Sequence, residues 1–117
     1  MGKIQRAIWL SYDLGIGGDY PGLYKWLDNH NAIECGNSVA FFRYEIENNE
    51  LAHLTEMLSE ELRKAINLRA GDRLYIIHKE SAASGQIIKG TFICGRRKSN
   101  PWEGYGDNES IPDEDGE

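Results

Sequence analysis

Apolar and polar residues alternate from the start of the chain. Ile4, Ile8, Leu10 and Tyr12 fall on one side of an extended segment, and Gln5, Ala7, Trp9, Ser11 and Asp13 on the other. This period of two predicts a first strand over 4–12. Gly15, Gly17 and Gly18 then break the pattern. Apolar residues resume at helical spacing: Leu23 and Leu27, with Tyr20 or Tyr24 and Trp26 beside them, predict a helix over 20–30. Asp19 suits its N-cap, and Pro21 fits its first turn, where a missing N–H costs nothing. A short strand at 32–35, a turn at Gly36-Asn37 and a strand at 38–46 follow. In the last of these, one of Phe41 and Phe42 must face each way. The longest helical stripe is Leu51, Leu54, Leu58, Leu62, Ala65 and Ile66. It predicts a helix over about 50–67, capped by Asn48 or Asn49, with Glu56, Glu60, Glu61, Arg63 and Lys64 on the wet side. Strands over 73–79 and 86–95, joined by a hairpin loop at 81–85, complete the pattern.

The order β-α-β-β-α-β plus one strand matches an α+β, ferredoxin-like βαββαβ sandwich with an additional C-terminal strand. Both helices then cover one sheet face and leave the other bare. Trp9 and one of the two phenylalanines would lie on that bare face. Apolar patches of this kind mark partner surfaces, so a homodimer packed sheet to sheet, or exchanging the final strand, is expected, with Trp9 at the interface.

Composition changes the picture at the C-terminus. The chain of 117 residues has a net charge of -6, but seven acids and no Lys or Arg lie in residues 103–117. Residues 1–102 hold 12 acids and 13 bases and are near neutral. The expected organisation is one domain over 1–98 and an acidic, disordered tail over 99–117, which could recruit a protein partner. A neutral body lacks the broad basic footprint of many nucleic-acid binders, although a local patch suffices. No apolar run reaches the roughly 18 residues of a membrane span, and the N-terminus shows no apolar signal region. With Cys35 and Cys94 the only cysteines, buried free thiols and a cytoplasmic location are expected.

Candidate chemistry is sparse. Asp13 ends the first strand beside a glycine-rich loop, where its carboxylate can serve chemistry or accept hydrogen bonds from the loop N–H groups of Gly15 to Gly18. The same loop, leading into a helix, invites a phosphate-binding reading but lacks the Lys and Ser/Thr of a P-loop. Arg96-Arg97-Lys98, with Trp102 and Tyr105 nearby, has the cations and rings of a small single-strand-binding element. His30, His53 and His78 show no metal-ligand spacing.

The strand end Ser11-Tyr12-Asp13-Leu14, followed by Asp19-Tyr20-Pro21 and Leu23-Tyr24 on a helix, resembles the SinR-like proteins. These share a superfamily with the small CRISPR-associated adaptation protein and the VapD toxins. The turn at 34–38 and the strand at 73–79 fall where that superfamily places its second hairpin and fourth strand, so the resemblance spans roughly residues 4–80. It implies a ferredoxin-like homodimer and, in some members, metal-dependent endonuclease activity on RNA or DNA. Others act only as structural adaptors. The aspartate carried over is Asp13, which would bind Mg²⁺ or Mn²⁺ near the dimer axis, with Ser11 and Arg43 as helpers by position.

Overall fold

The computed structural model describes residues 2–97 and 99–107. Lys98 and residues 108–117, which include most of the acidic tail, lie outside the described residues. The chain runs β1 (Lys3–Asp13), α1 (Tyr20–Asn29), β2 (Ile33–Gly36), β3 (Val39–Glu47), a 3-10 turn (Asn48–His53), α2 (Leu54–Ala65), β4 (Arg73–Ala82) and β5 (Gly85–Cys94). Five strands form one sheet in the order β2-β3-β1-β4-β5, and every neighbouring pair is antiparallel. The fold class is therefore α+β. No helix among the described residues is long and apolar enough to cross a membrane.

Alternation along β1 decides the layering. Ile8 and Leu10 are fully buried under the helices, whereas Trp9, Ser11 and Asp13 point to the opposite face. On β3 the buried member of the phenylalanine pair is Phe42, and Phe41 shares the bare face with Trp9 at a ring separation of 5.0 Å. Leu23, Trp26 and Leu27 of α1 and Leu54, Leu58 and Leu62 of α2 close the core over Leu74, Ile76 and Ile93. Each such leucine, fully buried, contributes about 1.5–3 kcal/mol relative to exposure.

Four expectations need correction. The segment 50–67 is not one helix: a 3-10 turn precedes α2, and neither Asn48 nor Asn49 caps it. The backbone N–H of Asn48 instead donates to the Gly2 carbonyl at 3.0 Å, tying the exit of β3 to the start of β1. Glu61 is only half-exposed, because its carboxylate is drawn against α1 and β3. It accepts hydrogen bonds from Trp26 Nε1 (3.0 Å) and the Tyr44 hydroxyl (2.9 Å), and His30 Nε2 lies 3.1 Å from it. Cys35 is free as expected but exposed, because β2 is a short edge strand with every residue open to solvent; Cys94 is free and half-buried. The β4–β5 loop is also tighter than 81–85, since two residues suffice for an antiparallel hairpin.

Candidate functional site

At the end of β1, three strands build one cleft on the bare sheet face. Ser11 stands opposite Tyr75 and Asp13 opposite Arg73 on β4, while Tyr75 stands opposite Phe92 on β5. Tyr75 and Phe92 meet edge to face with ring centroids 4.7 Å apart. Two glycines make this arrangement fit. A Cβ at Gly90 would collide with the Tyr75 hydroxyl, so its absence lets that ring lie across β5. Gly95, at φ +80°, turns the chain out of β5 so closely past Arg73 and the Asp72 carbonyl that a side chain there would clash. Arg97, Asn100 and Trp102 thereby form the remaining wall. The cleft holds about 460 Å³ and continues into a hollow of about 470 Å³ against Ser99 and Pro101. Successive turns shape that wall, with Glu103 N–H donating to the Asn100 carbonyl and Tyr105 N–H to that of Trp102.

Two guanidiniums and one carboxylate line the cleft, so it is locally positive although the body is near neutral. Arg73 Nη2 donates to Asp13 Oδ2 at 3.1 Å. The Asp13 side chain is 57% exposed and that of Arg73 28%. Among the described residues, Oδ1 of Asp13 accepts no hydrogen bond. Trp102 is 68% exposed and offers a ring face to a ligand.

The carboxylate that fixes the glycine loop is Asp72, not Asp13. Buried to 1% exposure, it accepts from the N–H groups of Gly15 (2.7 Å) and Arg69 (2.8 Å). The Gly15 bond holds its pKa below the usual carboxylate range against the opposing effect of burial, helped by the Arg69 N–H and guanidinium. Asp19 caps α1 as expected, accepting from Gly22 N–H (3.0 Å), and also binds Asn67 N–H (2.8 Å) beyond α2. The Gly18 and Tyr20 N–H groups donate to the carbonyls of Gly15 and Gly18. With these donors engaged, the loop makes a poor phosphate cradle.

Of the residues singled out in the sequence, the fold gathers Asp13, Ser11, Arg97 and Trp102 around the cleft. Arg96 is exposed beside it, and Lys98 is outside the described residues. Arg43 is elsewhere: it stands opposite Ala7, six residues from Asp13 along β1, or about 20 Å. Its guanidinium lies 5.3 Å from the centre of the Phe41 ring. Trp9 sits mid-face between Phe41 and Ile77. The sequence reading missed Arg73, Tyr75, Phe92 and Asn100, which enter the cleft only through strand register and the turn at Gly95.

Mg²⁺ and Mn²⁺ favour several oxygen ligands. The cleft supplies one carboxylate, already paired with a guanidinium, and the described residues contain no cluster of three or more His, Cys, Asp or Glu. The residues of a single protomer therefore do not fit a divalent ion, and a second carboxylate would have to come from a partner. No family model, no curated protein and no solved structure matches the chain.

Proposed function

We propose that this chain is a ferredoxin-like, homodimeric nucleic-acid-binding protein whose cleft at the end of β1 holds a single strand. The ferredoxin-like reading is supported by the order β2-β3-β1-β4, antiparallel throughout, with two crossover helices on one face. The observation that carries the binding reading is the joining of Arg73 and Arg97 with Tyr75, Phe92 and Trp102 around one hollow. Guanidiniums attract phosphates, and exposed rings stack bases, which a duplex keeps to itself. A second reading, metal-assisted cleavage at Asp13, draws support from the position of Asp13 on the bare face, but requires a dimer axis at the cleft rather than through Trp9, four residues away on β1, to bring a second copy's carboxylate to it.

Fluorescence anisotropy with labelled single- and double-stranded RNA and DNA tests both readings. Single strands should bind more tightly than duplexes, with affinity falling as salt rises from about 50 to 200 mM. Arg97→Ala and Trp102→Ala should each weaken binding several-fold while leaving the melting temperature unchanged. No binding at low salt, or an affinity indifferent to salt, would overturn the proposal. Cleavage in Mg²⁺ or Mn²⁺ that disappears in Asp13→Asn would establish the second reading; intact strands after prolonged incubation would remove it.

A further inference from the structure

A carboxylate is an odd component of a site for a polyanion, because it repels the phosphates that Arg73 and Arg97 attract. Asp13 nevertheless lies among the rings of the cleft, with one oxygen held by Arg73 and the other free of hydrogen bonds among the described residues. An ionised carboxylate only accepts hydrogen bonds, through as many as four lone-pair sites. Unstacked bases in single strands are read along their Watson–Crick edges. Guanine alone presents two adjacent donors there, N1–H and N2–H. Adenine and cytosine place a ring acceptor beside their amino donor, and uracil flanks its one donor with two carbonyls. A neighbouring acceptor repels a carboxylate, so the Asp13 position discriminates by charge as well as by hydrogen-bond count.

We propose that Asp13 is a base-reading residue that accepts the N1–H and N2–H of a guanine held in this cleft, resting on the binding reading above. Arg73 acts through Asp13: its 3.1 Å bond to Oδ2 fixes the carboxylate. Tyr75 and Phe92 supply an apolar floor, and Trp102 a ring against which the base can stack. Arg97 takes the neighbouring phosphate. The volume of about 460 Å³ lies in the range of pockets that enclose small ligands and far below what a duplex requires. A free guanine nucleotide offers the same edge and phosphate, so the test must separate the two sources.

The experiment uses the full chain and labelled nine-nucleotide uridine strands carrying guanosine, inosine, adenosine or uridine at the centre. Guanosine should bind roughly tenfold more tightly than adenosine or uridine, within the discrimination expected of a bidentate contact. Inosine, which lacks the N2 amino group, should lose most of that advantage. Asp13→Asn, which presents one donor and one acceptor, should abolish the difference between guanosine and inosine and move preference toward adenosine. Equal affinity for all four strands would overturn the inference while leaving single-strand binding intact, as would a guanosine preference that survives Asp13→Asn. Guanosine monophosphate competing as well as the strand itself would keep the base-reading role and replace the strand with a mononucleotide. No binding of any strand or nucleotide would overturn both the inference and the function beneath it.

Discussion

Asp13 and Asp72 show how differently two carboxylates of one chain can be employed. Asp13 was legible in the sequence because it ends an alternating strand beside glycines, and its face follows from that alternation. Asp72 was not legible, since its partner Gly15 is 57 positions away and no local pattern joins them. Its role carries a pH signature. The folded pKa lies below its ordinary 3.8, so its contribution to stability is complete above that value and is lost as pH falls through the lower folded value. Asp19, lowered chiefly by the Asn67 N–H and then by that of Gly22, acts in the same direction. Asp72→Asn keeps the shape but loses charge-assisted acceptance of two N–H groups, which should cost about 1.5–3 kcal/mol near neutral pH. Thermal melts from neutral to strongly acidic pH check this: the variant should start lower and lose less on acidification. An unchanged acid dependence would mean that Asp72 does not anchor the glycine loop.

At the scale of elements, α2 and β1 were the most legible and the joints between elements the least. Of the stripe, Leu54, Leu58 and Leu62 are buried as their spacing demands, because a period near 3.6 has one solution against a sheet, whereas Ala65 is exposed, Leu51 is half-buried in the 3-10 turn, and Ile66 is buried from extended backbone just past α2. Leu58→Ala should therefore lower the unfolding free energy by about 2–5 kcal/mol in urea titrations, with little change in strand affinity at temperatures where the variant is folded. A cost below 1 kcal/mol would indicate that the site collapses onto the smaller side chain. The 3-10 turn before α2 was hidden because two asparagines there mimic caps, while the backbone N–H of Asn48 is taken by the distant Gly2 carbonyl. The cleft was hidden for a related reason. Ser11, Asp13, Arg73, Tyr75 and Phe92 lie on three strands, and only the register Ser11–Tyr75–Phe92 brings them into rows. Alternation assigns a face to each residue but not its neighbour across the sheet.

At the scale of the whole molecule, the bare sheet face poses the strongest structural question. Ile33 on β2 stands opposite Phe41 on β3, which stands opposite Trp9 on β1, which stands opposite Ile77 on β4. Ile88 extends the apolar surface along β5. A row of this kind across four strands, with Ile88 beside it on β5, costs free energy in water, unlike single exposed apolar residues scattered over a surface. A two-fold axis through the row covers both copies at once, since such an interface is self-complementary. It would also fix two clefts in one particle, each at the margin of the covered face, so a strand long enough to reach both gains from the high effective concentration of the second site. Light scattering at micromolar concentration should give the mass of two chains, and Trp9→Asp, which places a charge in the centre of the row, should give one. The same variant should erase the gain in affinity on lengthening a single strand while preserving the affinity of a nine-nucleotide strand that occupies one cleft. A wild-type monomer would refute the pairing, and a dimer that survives Trp9→Asp would move the axis to another face.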